Sequence, residues 1–456
     1  MEIDKKLFTV SLMFLIIGFL SFVFLSTRIS FHDTHEYITV AKELAGIHNV
    51  RVHSGHSYVY PFFISFFIKL FPSIITIKLI NFFWLFLTGI LLYLHSRNKK
   101  MFLLWAFSPV VWYMSIQISP ILPTTFFFTL GYILFKIYER QKTKKHLIFS
   151  ALSFGLCLAI YEISFILIAL FILIFFFNKR FSTLLMFLLF IIPTFCLRLI
   201  LDYYLFNFPF YSLVRFSGSN LLVLAGKSFD IPKEYGLYLV GVFILISPLL
   251  FYLYKTKIKD FFREILFFIL LIIFFMLRTG VWEAIEYFVI FASIPIIMLT
   301  KVLDSKKVVI STILSIIIIT FLVISQSYFG ENKDSLALKD LKDLSKGSDY
   351  FITDEATPLA SLLWKDKPFF IWLKEYQAKD IGYFADYNIK AKSKINTIEI
   401  LELDARLNTV YSQDINAPLL LDKKNSPPEG FVLERCLRIL CMYKNLNFNY
   451  SYTNQK

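Results

Sequence analysis

Long apolar runs, separated by short polar clusters, dominate the chain up to about position 328. A run of roughly 20 apolar residues can cross the hydrocarbon core of a bilayer as one helix. Runs of about this length lie at positions 7–26, 74–94, 101–117, 121–138, 147–161, 163–178, 181–201, 236–254, 264–278, 284–300 and 308–327. The pattern predicts a polytopic α-helical membrane protein with about eleven transmembrane helices.

The charge of the connections between these runs alternates along the chain. Every second connection is rich in Lys and Arg, with clusters at 97–100, 140–145, 179–180, 255–263 and 301–307. The other connections, including the longer ones at 27–73 and 202–235, are poorer in basic residues. Because cytoplasmic loops are enriched in Lys and Arg, the alternation predicts a cytoplasmic N-terminus. An odd number of spans then places the C-terminal part outside the cell membrane.

Two apolar runs need a separate interpretation. The run from Pro61 to Phe71 has about eleven residues, too few to cross the bilayer, so we expect a helix that lies at the outer interface. The first run follows Lys5 and Lys6, as the core of a signal peptide does. It is long, however, and residues 27–30 do not form a small-residue cleavage site, so we expect an uncleaved first helix.

The pattern changes after about Tyr328. Short strand-like segments alternate there with polar and helical stretches, at 350–353, 369–372 and 431–434 for example. This change predicts two domains. A transmembrane domain covers 1–328 and carries the first outer loop, 27–73, while a small soluble extracytoplasmic α/β domain covers 329–456.

Composition adds one constraint on function. The chain has 456 residues, of which 57% are hydrophobic, and its formal net charge is +14. A charge of this size is also typical of nucleic-acid binding proteins. Here the basic residues cluster between apolar runs, so membrane topology accounts for them and a nucleic-acid partner is not expected.

The four cysteines do not predict a disulfide framework. Cys157 and Cys196 lie inside apolar runs. No turn residue separates Cys436 from Cys441, so both are expected on one strand, about 16 Å apart and on opposite faces. That distance is too long for a disulfide, and redox chemistry is not indicated.

The first outer loop contains the main candidates for chemistry. Tyr37, Val40, Ala41 and Leu44 follow helical spacing, and Gly46 can end a helix, so a short amphipathic helix is predicted there. Asp33 and Glu36 have the spacing of a capping box, which needs no further function. A carboxylate beside a helix N-terminus also stays ionised, so either residue can act as a base or as a ligand for a divalent ion.

Five of the seven histidines lie in the same loop, namely His32, His35, His48, His53 and His56. No pair combines a helical His-x-x-x-His spacing with a third ligand. We therefore interpret them as solvated or interfacial side chains and assign no metal ligands, while a divalent metal as cofactor stays open.

Further ionisable residues are predicted at the same membrane face: Arg51, Glu162, Arg198, Asp202, Arg215, Lys227, Arg278, Glu283 and Glu286. Such residues at helix ends are usually interfacial anchors. A phosphate-bearing ligand would also need cations here, because Arg binds phosphate oxygens with two N–H groups at once. Arg198 and Arg278 lie at or just inside apolar runs, where a charge is costly and tends to have a function.

The order of these landmarks resembles a known family. One helix is followed by an outer loop with an acidic residue, by Glu36-Tyr37 at the start of a helix, by Tyr58-Val59-Tyr60-Pro61 and by a Phe-rich stretch. Ile118-Ser119-Pro120 and Glu286-Tyr287 each begin a later run. The order is similar to that of the GT-C membrane glycosyltransferases that use polyprenyl- or dolichyl-phosphate sugars, such as protein O-mannosyltransferases and aminoarabinose transferases.

The resemblance implies an inverting transfer of a sugar, such as a mannose-type hexose, from a polyprenyl-phosphate carrier to a hydroxyl of a protein, lipid or glycan. Asp33 would be the catalytic base, with Glu36 as the other catalytic candidate. The substrate-binding candidates are Tyr37, Arg51, Glu162, Arg198, Arg215, Arg278 and Glu286. Many relatives have adjacent Asp and Glu, whereas Thr34 follows Asp33 here, so the division of roles between Asp33 and Glu36 stays open. A transporter or flippase, or a catalytically silent scaffold, are the alternatives.

Overall fold

A computed structural model describes the chain at residues 2–28, 34–47, 56–115, 117–162, 181–214, 305–325, 327–346, 351–354, 369–372, 418–427 and 431–445, with scattered positions at 164–172, 216–217 and 289–297. Its helices are α1 (Glu2–Leu25), α2 (Thr34–Leu44), α3 (Val59–Leu70), α4 (Ile74–Ser96), α5 (Lys99–Ala106), α6 (Pro109–Met114), α7 (Ile121–Gln141), α8 (Lys144–Ile160), α9 (Phe181–Phe206), α10 (Ser305–Ser325) and α11 (Lys333–Leu344). Its strands are β1 (Phe351–Asp354), β2 (Phe369–Trp372), β3 (Leu419–Asp422), β4 (Phe431–Cys436) and β5 (Leu440–Asn445).

The described residues are mostly helical and include helices that can span a membrane. Four segments are long and apolar enough by length and composition: Ile74–Ser96, Ile121–Gln141, Phe181–Phe206 and Val308–Ser325. The helix α1 is apolar from Thr9 to Leu25 and falls among the shorter apolar helices. The chain is thus a helical membrane protein with a small sheet near its C-terminal end. The predicted total of about eleven spans includes 236–254 and 264–278, which lie outside the described residues.

The predicted span at 101–117 is wrong as one continuous helix. The chain forms α5 and α6 instead, separated by Phe107 and Ser108. Pro109 is the first residue of α6, and Ser108 has an extended backbone with ψ 118°. The proline ring disfavours a helical conformation at the preceding residue, which ends α5 before the break. The indole N–H of Trp112 donates to the Ala106 carbonyl at 2.7 Å and so satisfies one of the backbone groups that the break releases.

Small residues let three of the long helices pack closely. On α7, Gly131 faces the ring of Phe154 on α8, and its carbonyl accepts a hydrogen bond from Ser150 at 2.7 Å. On the other face of α8, a Cβ added to Gly155 would lie 2.1 Å from Thr194 of α9. The contacts show that α7 and α8 run antiparallel and that α8 and α9 run parallel.

The chain divides into two compact units. The first consists of 1–26, 78–211 and 222–328, and the second of 27–77, 212–221 and 329–456. The helical unit therefore ends at Tyr328, and the residues of the first predicted outer loop belong to the same unit as the C-terminal sheet.

The second unit begins with the helix pair α2 and α3. The predicted amphipathic helix is confirmed as α2, which buries Tyr37, Val40 and Ala41 and packs against α3. It ends where expected, because Gly46 has φ +72° and the N–H of Ile47 donates to the Lys42 carbonyl at 2.9 Å. A positive φ at glycine together with this hydrogen bond is a Schellman C-cap.

The C-terminal part contains a five-stranded mixed sheet with strand order β2-β1-β3-β5-β4. The parallel neighbours are β2, β1 and β3, while β5 pairs antiparallel with both β3 and β4. The helix α11 begins with a capping box between Asn332 and Ser335 and packs against β5. Leu341 and Leu344 of α11 are buried, as is every residue of β3.

The expectation that Cys436 and Cys441 cannot form a disulfide is wrong. Cys436 ends β4 and Cys441 is the second residue of β5 in one hairpin, where they lie directly opposite each other and are disulfide-bonded. The turn between them has no glycine, proline or asparagine. It is held from outside the hairpin, because the Asp340 carboxylate of α11 accepts hydrogen bonds from the N–H groups of Ile439 at 2.5 Å and Leu440 at 3.1 Å.

Candidate functional site

Buried polar side chains lie at one end of the helical unit, which we call the polar end. At this end α1, α8 and α9 finish, and α4 and α7 begin. Polar contacts join the helices there, from Lys78 to Ser26, from Asn81 to Gln117 and from Arg198 to Glu162. Because all of these side chains are buried, each lies in a low-dielectric environment, where an unmatched polar group is expensive.

Arg198 and Glu162 form an ion pair at the polar end. The guanidinium Nη2 lies 2.8 Å from the Glu162 Oε1, and both side chains have 0% exposure. Glu162 lies two residues after the end of α8, and Arg198 lies in the last third of α9. Two sequence-predicted site residues are therefore brought together. Because the pair is buried, either charge alone would be strongly disfavoured.

Asp202 lies one helical turn after Arg198, and it is also fully buried. The buried residues of α9 form one stripe, consisting of Phe187, Ile191, Arg198, Asp202 and Leu205. Apolar side chains such as Leu189, Ile192 and Ile200 are exposed on the rest of the helix. In a membrane helix, this distribution turns the charges toward the protein interior and the apolar residues toward lipid.

Lys78 and Asn81 are polar-end residues that sequence reasoning missed. Both lie within the predicted span 74–94, Lys78 is 3% exposed and Asn81 is 0% exposed. The Lys78 ammonium donates to the Ser26 carbonyl at 2.9 Å, and the Asn81 amide donates to the Gln117 carbonyl at 2.7 Å. The signal was available, because a lysine and an asparagine three residues apart in an apolar run lie on one helix face.

In the second unit, Tyr37 is part of an aromatic cluster between α2 and α3. Its ring lies 5.6 Å from that of Tyr60 and 5.5 Å from that of His56, and the His56 ring lies 6.3 Å from Phe216. Burial raises the pKa of the Tyr60 hydroxyl well above its ordinary value. Tyr60 therefore stays a neutral phenol. The predicted substrate-binding residue Tyr37 is 2% exposed, so here it holds the two helices together.

The side chains of the remaining predicted site residues are not among those that the structure describes. Glu36 lies within α2, and the structure describes only its backbone. Five others lie outside the described residues, namely Asp33, Arg51, Arg215, Arg278 and Glu286. The position of the base relative to the polar end therefore stays a prediction.

Neither a search for metal sites among the described residues nor comparison with known proteins assigns a function to the polar end. Within the part of the chain that the structure describes, no group of three His, Cys, Asp or Glu side chains is placed to hold a metal ion. Comparison of the chain with family models, with curated proteins and with solved structures gives no match in any of the three.

Proposed function

We propose that the chain is an inverting glycosyltransferase that moves a sugar from a polyprenyl-phosphate carrier to an acceptor hydroxyl at the outer membrane face. The observation that carries the proposal is the buried pair of Arg198 and Glu162, with Asp202 one turn away. Charges inside membrane helices are costly and are retained where a polar substrate or ion is handled.

The position of this pair supports an active site rather than an anchor. Interfacial anchors reach out to water or headgroups, whereas Arg198 and Glu162 have no exposed side-chain surface. The pair also lies at the end of the helical unit where α1 finishes. In the sequence, Asp33 follows α1.

The proposed reaction combines proton removal from the acceptor with displacement at the anomeric carbon of the sugar. Asp33 accepts the proton of the acceptor hydroxyl while that oxygen attacks the anomeric carbon of the sugar. The bond between this carbon and the phosphate oxygen breaks, and polyprenyl phosphate leaves with the electron pair. Attack opposite the leaving group inverts the anomeric configuration. The pair of Arg198 and Glu162 is proposed to hold the ends of α8 and α9 in position, since its guanidinium is already engaged by a carboxylate.

The test is sugar transfer from a panel of polyprenyl-phosphate sugars in membranes that contain the full chain. Asp33→Asn keeps the size of the side chain and removes the base, so transfer should fall about 100-fold or more. Glu36→Gln in the same assay shows which of the two carboxylates carries that role. NMR of the product reports the anomeric configuration.

Asp343→Asn is the matched control, because Asp343 is an exposed surface carboxylate on α11. It should transfer sugar at the wild-type rate. Sugar transfer at the wild-type rate in both Asp33→Asn and Glu36→Gln, at equal protein level, would refute the assignment of either carboxylate as the base. A wild-type chain that transfers no sugar from any donor in the panel would refute the proposed function.

A transporter or flippase is the second candidate, and the break between α5 and α6 favours it. Transporters bind their cargo at discontinuous membrane helices, usually in two related halves. Flux of a fluorescent polyprenyl-phosphate analogue across proteoliposomes tests this candidate directly. Flux without any sugar transfer would replace the glycosyltransferase proposal.

A further inference from the structure

The starting observation is the environment of Lys78. It lies on the second turn of α4, within a segment that is apolar enough to span a membrane. Its side chain is 3% exposed, and its ammonium donates to the Ser26 carbonyl at 2.9 Å. The lysine therefore brings a positive charge into the buried polar end.

The charge of Lys78 has no counterpart of opposite sign in the described part of the chain. Its hydrogen-bond partner there is the Ser26 carbonyl, and no carboxylate of the described residues lies within ion-pair distance. An ammonium has three N–H groups, so two remain for another acceptor. Arg198 at the same end shows the contrast, because Glu162 neutralises it at 2.8 Å.

Neither the dipole of α1 nor contact with water accounts for the unpaired charge of Lys78. A cation near the last carbonyls of α1 is stabilised by the helix dipole, but that gain is smaller than the cost of burying an unpaired charge. A lysine near a membrane surface can also extend its ammonium to water. Lys69 on α3 is exposed in that way, but Lys78 is buried.

Neighbouring polar groups extend the site along the same end. Asn81 is one turn further along α4 and holds the Gln117 carbonyl at 2.7 Å. Two more atoms of the same loop, Gln117 Oε1 and Ser119 Oγ, are buried without a hydrogen-bond partner in the described structure. A serine hydroxyl and an amide can both donate to an anion, since the O and N of a glutamine side chain are assigned rather than observed.

We infer that Lys78 is the cation of a phosphate-binding site at the junction of α1 and α4. The two remaining N–H groups would donate hydrogen bonds to phosphate oxygens, and the negative charge of the phosphate would balance the buried ammonium. Phosphate is the anion that lipid headgroups supply at this depth, about one turn inside the start of a span. Where the phosphate belongs to the sugar carrier, the inference rests on the proposed function.

Thermal unfolding of the purified full chain in detergent tests the site. The probes are inorganic phosphate against potassium chloride at equal ionic strength, and citronellyl phosphate against citronellol. At about ten times its Kd, a bound probe should raise the wild-type Tm by about 2 °C. Lys78→Met should lose the rise, Lys78→Arg should retain part of it, and the matched control Lys69→Met should behave as wild type.

The two probes separate the sources of the phosphate. A Lys78-dependent rise with both probes supports a site that free phosphate can fill. A Lys78-dependent rise with citronellyl phosphate alone supports a lipid phosphate. An equal rise in wild type and Lys78→Met, or no rise in wild type with either probe, overturns the inference.

Two further measurements keep the test decisive. If Lys78→Met does not fold, acylation of wild-type lysines is followed by peptide mass spectrometry, and phosphate should slow labelling of Lys78 and leave Lys69 unchanged. Equal labelling of Lys78 with and without phosphate would contradict the site. Sugar transfer is measured separately: a Lys78-dependent Tm rise without transfer preserves the site and refutes the proposed function, while transfer without such a rise does the reverse.

Discussion

Arg198 on α9 and Glu162 after α8 face each other at 2.8 Å with no exposed side-chain surface. Arg198→Met leaves a buried carboxylate without its cation, and Glu162→Gln leaves a buried cation without its carboxylate. Each single change should lower the free energy of unfolding by about 3–5 kcal/mol. The double variant should lose less than the sum of the two, because neither charge then remains. Denaturant titration of purified protein measures all four forms.

Lys136 and Glu139 on α7 provide a control pair, since their side chains are 27% and 28% exposed at 3.3 Å. A pair in contact with solvent contributes about 0–1 kcal/mol. The same set of single and double variants is made for Lys136 and Glu139. Similar losses of unfolding free energy at the two pairs would mean that Arg198 and Glu162 are more solvated than their burial indicates.

Asp340 should stabilise the hairpin turn through its two backbone hydrogen bonds. Asp340→Asn removes the charge that strengthens both bonds, and we expect a loss of about 2–3 kcal/mol in unfolding free energy. Hydrogen exchange at the amides of Ile439 and Leu440 should accelerate at the same time. Asp343→Asn is the control, because the exposed Asp343 pairs with Lys346 on the surface. Unchanged exchange in Asp340→Asn would show that the turn is held by its own strands.

The disulfide should make a moderate contribution to stability. Cys436 and Cys441 are five residues apart, so the closed loop is small. The loop-entropy relation for such a loop gives about 2 kcal/mol for the crosslink. Unfolding of Cys436→Ser/Cys441→Ser against the wild type measures this value. The same bond predicts an oxidising compartment for the C-terminal sheet, so protein from intact cells should yield the crosslinked peptide without added oxidant.

Acid should weaken the link between α11 and the sheet. The Lys333 ammonium, 2.8 Å from the Asp422 carboxylate, lowers the pKa of Asp422 below its ordinary value. A carboxyl with a lowered pKa stabilises the folded state above its unfolded pKa of about 3.9 and loses this contribution as pH falls through the folded pKa. Stability of Asp422→Asn should therefore depend less on pH below about pH 4. An identical acid profile in the variant would contradict the link.

The helix α3 should insert one face into the membrane interface. Its exposed side chains Phe62, Phe66 and Leu70 lie opposite the buried Ile64 and Ile68. At 12 residues the helix is about 18 Å long, too short to span the bilayer. The fluorescence of the tryptophan introduced by Phe66→Trp should be quenched by brominated lipid in nanodiscs. The fluorescence of the tryptophan introduced by Lys342→Trp, on the exposed side of α11, should not be quenched. Equal quenching at both positions would refute the assignment.

The periodic parts of the fold were predictable from the sequence. Runs at 74–94, 121–138, 181–201 and 308–327 are helices within a few residues of their expected bounds, because their apolar stretches are long. The amphipathic spacing of α2 predicted this helix, and Gly46 predicted where it ends. Pro109 marks the break in the sequence, but the apolar residues on both sides of it favour one continuous span.

Tertiary contacts account for what the sequence did not reveal. The hairpin turn between Cys436 and Cys441 has no turn residues of its own, and its N–H groups are bound by Asp340, far away in the chain. Pairing of Arg198 with Glu162 likewise depends on how α8 and α9 pack. Lys78 was hidden because one charge in a hydrophobic run hardly changes its average hydropathy.

The hydrogen bond between Asp340 and Ile439 joins positions 99 residues apart, which sets an order for biosynthesis. The ribosome completes α11 well before the strands that cover its buried residues Ala337, Leu341 and Leu344. During that interval the helix presents an apolar stripe to chaperones and proteases. A premature stop codon before position 431 would make the interval permanent, and the truncated product would be a substrate for quality-control proteolysis even though its membrane helices were complete.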